Sequence, residues 1–341
     1  MPTPDPFHGD TERDVTRDDL KQRALSIDPV TFHPFPNDFD RRSFPEWIVD
    51  VTPESESADG LLIVGSERTA LYDGGMAFRA HDTINHINDA LKGRPLDYVL
   101  VSHSHYDHVG VLPYVLNAHP EAQVIGSAYA RHVFGRPGAL REMARLGRVA
   151  LEAGGASATN PLKADEISAE GLRVDVIASD GDRFDLGNRN VMCLETKGHT
   201  DCGLSFAIEP DRVLIPSEST GECAGPGSNV TAILKSYQDA MASAQKCRAY
   251  GARQVISPHL GITPEWYAEQ YFDDFEQAAR DERAYMMGLF ERGLNFDEML
   301  ADAVENVWPS ARGIGQNWDG FVANFTAMTN VYEREFEHEQ P

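Results

Sequence analysis

Short apolar runs rich in β-branched residues mark the first two thirds of the chain, and longer stretches with helical spacing fill its end. Trp47-Ile-Val-Asp-Val, Leu61-Leu-Ile-Val and Ala70-Leu-Tyr read as consecutive strands, closed by the turn Asp73-Gly74-Gly75. From His81 to Leu91 a helix is predicted, with Ile84, Ile87 and Leu91 on one face. Asp97-Tyr-Val-Leu-Val-Ser reads as a buried strand that runs directly into His103-Ser-His-Tyr-Asp-His108. Helix 111–118, strand 123–125 and helix 128–134 follow. The Ala-, Gly- and Arg-rich stretch 136–170 reads as a helical insertion.

Strand patterns return over 173–177, 190–194, 203–208 and 212–215, with Glu209-Pro210-Asp211 as the hairpin turn between the last two. A helix fits 233–249, and a strand over 253–257 ends at Pro258-His259. Beyond it the pattern is helical over about 265–292, 296–305 and 319–337, with Thr263 as predicted N-cap and Pro264 at the first helical position. Residues 1–45, rich in Pro, Asp and Arg, show no period beyond a helix near Asp18–Leu25 and read as an N-terminal arm. The predicted division is therefore 1–45 arm, 46–262 α/β domain and 263–341 C-terminal helical extension.

A hydrophobic fraction of 41% with 25% charged residues is that of a globular chain. Thirty Lys and Arg against 54 Asp and Glu leave a net charge of −24, which argues against gripping nucleic acid or an anionic membrane. No apolar run approaches the roughly 18 residues of a membrane span. The cysteines, Cys193, Cys202, Cys223 and Cys247, are scattered and read as free thiols, and no export-type leader is visible at the start, so the expected location is cytoplasmic.

The concentrated chemistry is His103-x-His105-x-Asp107-His108. Extended backbone would put His103, His105 and Asp107 on one side, with His108 following as the chain turns. Three imidazoles and a carboxylate in six residues are costly to pack without a cation, and they suit zinc, iron or manganese. The isolated His8, His33, His81, His86, His119, His132 and His338 read as surface or hydrogen-bonded residues.

This segment resembles the metal-binding signature of the metallo-β-lactamase superfamily. Lys197-Gly-His199-Thr, Ile215-Pro-Ser-Glu218 and Ser257-Pro-His259-Leu-Gly resemble its later ligand segments, in order, and the resemblance covers about residues 47–262. It implies a mixed α/β (α+β) fold, a four-layered αββα sandwich with a dinuclear site at one edge, here capped by C-terminal helices. By position, His103, His105 and His199 would hold one metal, Asp107, His108 and His259 the second, and Glu218 would bridge them with a water. The family's usual bridge is Asp, so Glu218 is a departure, and Glu195 and Glu222 stand nearby as alternatives. Asp73 resembles a residue that orients a ligand imidazole. Cys202 and Cys223 lie near the same edge.

The implied cofactor is a pair of divalent ions, zinc foremost, with iron or manganese as alternatives. The implied function is metal-dependent hydrolysis by a metal-bound hydroxide, with Asp107 and Glu218 in catalytic roles. The aromatic residues of the C-terminal helices tilt the substrate toward a small ester or thioester, with lactones and phosphoesters in range. The alternative is a diiron oxidoreductase of the same fold, served by a separate electron donor. A regulatory protein that has lost catalysis is the third reading. Expected partners are a small-molecule substrate, no nucleic acid and no membrane, with a homodimer left open.

Overall fold

Both faces of each large sheet are covered, which explains why the strands are apolar runs rather than strict alternations. The computed structural model describes residues 16–52 and 60–339. The first half consists of α1 (Arg17–Ser26), β1 (Ile48–Asp50), β2 (Gly60–Val64), β3 (Thr69–Asp73), α2 (Ala80–Leu91), β4 (Tyr98–Leu100), α3 (Tyr106–Val109), α4 (Leu112–Ala118), β5 (Gln123–Gly126), α5 (Ala128–Phe134), α6 (Pro137–Gly154) and β6 (Val176–Ile177). Its six strands form one sheet in chain order. The second half adds β7 (Arg183–Asp185), β8 (Asn190–Glu195), β9 (Leu204–Glu209), β10 (Val213–Ile215), the hairpin β11 (Glu222–Gly225) and β12 (Ser228–Val230), α7 (Tyr237–Tyr250), β13 (Gln254–Ser257) and β14 (Gly261–Ile262). Its main sheet runs β14-β13-β10-β9-β8-β7. Four helices close the chain: α8 (Gln270–Glu291), α9 (Phe296–Asn306), α10 (Trp308–Gly313) and α11 (Trp318–Glu339).

The pleat sorts side chains between layers. Leu61, Ile63, Tyr72 and Leu100 point between the sheets, where they meet Val191, Phe206, Ile208 and Ile215. Their neighbours Leu62, Leu71 and Val99 face outward onto Ile87, Leu91 and Val115 of α2 and α4. On the far side Met192, Leu194 and Ala207 pack against Ala240, Ala244 and Phe272 of α7 and α8. The result is a four-layered αββα sandwich with C-terminal helices added. No helix of the described residues is long and apolar enough to cross a membrane.

The segment before the first strand is tied to the end of the chain. Trp308 Nε1 donates to Ala24 O at 2.8 Å, and Val30 N donates to Pro309 O at 2.8 Å. Phe35 is buried against Tyr267, ring centroids 4.9 Å apart. Residues 1–15 of the predicted arm, with His8, lie outside the described residues.

Several expected boundaries differ. Thr263 does not cap a helix: its hydroxyl and amide both donate to Val255 O at 2.9 Å, holding it to the β13–β14 hairpin. Regular α-helix begins only at Gln270, after a single 3₁₀ turn at Glu265–Tyr267. Helix α7 starts at Tyr237 rather than near 233 because the amides of Lys235 and Ser236 donate to Gly198 O and Ser236 then caps it. The 136–170 stretch is α-helical through Gly154 and adds one 3₁₀ turn at Gly155–Ser157. Beyond it, Leu162, Ile167 and Ala169 pack irregularly on the core. The chain also leaves the extended state before Asp107, which lies in α3 with His105 at its N-cap.

Candidate metal centre

Strands β3 and β4 run parallel, as do β10 and β13, and β8 shares the direction of β10 across the antiparallel β9. The C-terminal ends of these strands therefore meet at one edge of the sandwich. Asp73 ends β3, His103 and His105 follow β4, His199 follows β8, Glu218 follows β10 and His259 follows β13. Leu204 N donates to Ser102 O at 2.8 Å, a backbone bond that stitches the two sheets together beside the site.

Hydrogen bonds around the rings determine which nitrogen faces inward. The fully buried Asp73 accepts Ser102 N at 2.8 Å, Ser102 Oγ at 2.5 Å and His108 Nδ1 at 2.9 Å. A carboxylate only accepts, so His108 donates from Nδ1, and Nε2 is the ring nitrogen that faces inward. Ser102 has committed its hydroxyl proton to Asp73, so it accepts from His103 Nδ1 at 3.0 Å, and His103 Nε2 also points a lone pair inward. His199 Nδ1 donates to Ala232 O at 2.7 Å, with the same outcome for its Nε2.

These inward nitrogens converge on Glu218. Its Oε1 lies 3.6 Å from His103 Nε2, 3.1 Å from His259 Nε2 and in close contact with His108 Nε2. Its Oε2 lies 3.1 Å from His199 Nε2. His199 Nε2 is 3.0 Å from His105 Nδ1, and His108 Nε2 is 3.2 Å from His259 Nε2. Asp107 Oδ2 is 4.0 Å from His259 Nε2.

Burial depresses His103 well below the usual imidazole range, and His108 adds to it. Burial and His199 bring His105 down to about 3. Burial also opposes the charged form of His108, but Glu218 and Asp73 outweigh it and raise this ring well above its ordinary value. For Glu218 burial is outweighed by His199, His108 and His103, which hold the carboxyl well below the usual range.

All seven sequence-predicted donors reach this edge. Sets of donor atoms within 4.8 Å of one another form at His103–His105–His199, at His103–His108–Glu218 and at Asp107–His108–His259. A further set, Glu218–Glu222–His259, brings in one of the two carboxylates that were alternatives in the sequence. Burial, with Glu218 and Asp107 adding and His259 opposing, pushes Glu222 up to about 8. Glu195 belongs to no such set among the described residues; its backbone carbonyl takes Lys246 Nζ at the end of β8. Cys202 and Cys223 are buried nearby but also stand outside the sets, with Cys202 Sγ on Ser104 Oγ at 3.4 Å. Ser102 was missed from the sequence, and only its place before His103 at a strand end could have signalled it.

The residues fit divalent cations. His103 Nε2 is buried with no hydrogen-bond partner, so its lone pair needs an acceptor of electrons. Imidazole nitrogens and carboxylate oxygens in two adjoining sets are donors for zinc, iron or manganese.

Comparison with known proteins supports the fold and the family. The chain is 23% identical over 232 residues to Glyoxylase B2 of Dictyostelium discoideum, spanning 63% of this chain and 73% of that protein. It is 27% identical over 171 residues to a metallo-beta-lactamase fold-containing protein of Sulfurisphaera tokodaii, spanning 49% of this chain and 58% of the other. A crystal structure of a metallo-beta-lactamase family protein from Thermus thermophilus superposes with a TM-score of 0.52 at 19% identity, over 81% of this chain and 88% of that one. The family model described as Metallo-beta-lactamase superfamily matches residues 57–257, and the chain belongs to that superfamily.

Proposed function

We propose that this chain is a dinuclear metal-dependent hydrolase of a small ester or thioester. The observation that carries the reading is the placement of Glu218, whose Oε2 faces His199 of one donor set while Oε1 faces His108 and His259 of the other. His103, His105 and His199 would hold one ion, and Asp107, His108 and His259 the second, with Glu218 shared. Two divalent ions held there would supply an ionisable water as nucleophile and would polarise the substrate carbonyl.

The protein's own groups do the rest. Asp73 holds His108 directly and His103 through Ser102, so the inward nitrogens are set before any ligand arrives. Asp107, a quarter exposed in α3, would hold the proton released as water attacks. A cleft of about 400 Å³ lined by Pro29, Val30, Phe32, Ala224, Leu260 and Ile314 would seat the apolar part of the substrate. Leu260 follows the donor His259, Ala224 lies in β11 two residues after Glu222, and the remaining walls come from residues 29–32 and 312–314. Tyr106, beside Asp107, hydrogen-bonds Asn317, which ties the C-terminal extension to this edge and supports its role as a cap.

The test is a panel of carboxylic esters, thioesters, lactones and phosphodiesters assayed with the metal-loaded chain, beside His105→Ala and Asp107→Ala. Hydrolysis by the wild type and its loss in both variants are expected. Wild-type rates in both variants would overturn the proposal. Reductant-dependent dioxygen consumption with no hydrolysis would put the diiron oxidoreductase in its place.

A further inference from the structure

We propose that Glu222 is a metal ligand on the His259 side of the centre, so that this side offers two carboxylates of its own, Asp107 and Glu222, besides the shared Glu218, where the other side's own donors, His103, His105 and His199, are imidazoles. The inference rests on the dinuclear reading above and goes beyond its ligand set.

The backbone brings the two glutamates together. After Glu218 the chain makes one 3₁₀ turn, with Thr220 N donating to Ser217 O at 3.0 Å and Gly221 N to Glu218 O at 2.9 Å. Gly221 has φ +69°, and a Cβ there would lie 2.0 Å from Asn229 Oδ1. Only glycine reverses the chain this tightly. Strand β11 then starts with Glu222 paired to Val230, and the next amide, Cys223 N, donates to Ser257 Oγ at 2.9 Å, two residues before His259. Tyr271 Oη clamps the turn from outside by donating to Gly221 O at 2.9 Å. The consequence is that donor atoms of Glu218, Glu222 and His259 lie within 4.8 Å of one another.

Two carboxylates this close repel unless a cation or a proton lies between them. Among the described residues the ionic partners of Glu218 are all imidazoles, and no Lys or Arg pairs with Glu222. His103 Nε2, whose side chain is 1% exposed and which has no hydrogen-bond partner, lies 3.6 Å from Glu218 Oε1, so the carboxylate beside Glu222 also borders a buried donor that calls for a cation. Carboxylate oxygens favour hard ions such as manganese, and imidazoles suit zinc. The two sides of the centre therefore differ in preference, with the second position selecting Mn²⁺ or Fe²⁺ more strongly than the first.

The experiment is equilibrium dialysis of the full-length, metal-depleted chain against Mn²⁺ alone and Zn²⁺ alone, with metal per chain read by mass spectrometry. Wild type, Glu222→Gln and Glu222→Ala are compared, and circular dichroism checks the fold. The wild type is expected to bind two Mn²⁺. Both variants are expected to retain the first ion and to bind the second at least about 10-fold more weakly, since even partners outside the ligand set cost that much. Retention of the first ion shows that the fold survives, and near-isosteric Glu222→Gln keeps the test valid if Glu222→Ala unfolds. Unchanged binding of the second Mn²⁺ in folded Glu222→Gln would overturn the proposal. Fewer than two ions on the wild type would overturn both this and the dinuclear reading. Two ions with no hydrolysis would overturn the hydrolase reading alone.

Discussion

Asp73→Asn tests whether ring orientation at this site is imposed from behind. The wild-type carboxylate accepts three bonds, Ser102 N on Oδ1 and Ser102 Oγ and His108 Nδ1 on Oδ2, while fully buried. An amide has only one acceptor oxygen. If it faces Ser102 N, the NH₂ meets His108 Nδ1, which must give up its proton to accept. The proton then moves to Nε2, and the inward lone pair beside Glu218 and His259 is lost. If the amide is turned the other way, its NH₂ opposes the amide of Ser102, and a buried donor goes unpaired at a cost of about 1–3 kcal/mol to the fold. Loss of an outer partner to a metal-binding histidine weakens the metal about 10–100-fold, or about 1.4–2.8 kcal/mol. Ser102→Ala leaves the Asp73–His108 bond in place and frees only His103, so it is expected to weaken a different step. Competition with a chromophoric chelator, resolving two stepwise constants on folded protein, measures both effects. Unchanged constants in Asp73→Asn would show that the backbone alone orients the rings, and the reasoning would fail.

Three further outcomes are expected. Gly198→Ala, at φ +132° with a new Cβ 2.5 Å from the Ala240 Cα, should displace the loop bearing His199; we expect a loss of about 1–3 kcal/mol on denaturant unfolding, together with weaker metal binding. All four cysteines are buried, and burial pushes Cys193 and Cys247 up to about 12; these two thiols should resist a disulfide reagent at pH 8 until the chain is unfolded, and fast labelling of either in native protein would contradict their packing. In metal-free protein the His105 ring, brought down to about 3 from 6.5 by burial and His199, should stay neutral across that interval by nitrogen-15 NMR. Unfolded chains take up that proton near 6.5, so this ring's contribution is a loss of stability as pH falls from 6.5 toward 3, and protonation near 6.5 in the folded state would refute it.

Local spacing made part of this site readable. Three histidines and Asp107 within six residues need no tertiary information to suggest a cation, and the apolar runs of β2, β4 and β9 are strands whichever face they cover. The later donors, His199, Glu218 and His259, were recognised through the order of segments in a resembling family, because nothing local distinguishes Gly-His-Thr from a common loop. Glu195 and Glu222 were equal candidates by position. The difference between them lies in a 3₁₀ turn closed at Gly221, which folds Glu222 back on Glu218, while Glu195 ends a straight strand. The docking of residues 27–47 carries no periodic signal, since its partners, such as Pro309 and Tyr267, lie hundreds of residues away.

Residue order alone therefore determined the strands, the main helices and the chemical type of the centre, since hydrophobic period and ligand spacing act over a few residues. Which donors meet was decided by tertiary structure. His108 touches His259 across 151 positions and His105 touches His199 across 94. Those meetings depend on the register of two sheets, the bond from Leu204 to Ser102 that joins them, and the left-handed backbone of Asp73, Gly198, Gly221 and His259. A shift of one residue in any of these strands would turn its donor to the opposite face, because the side-chain period of a strand is two.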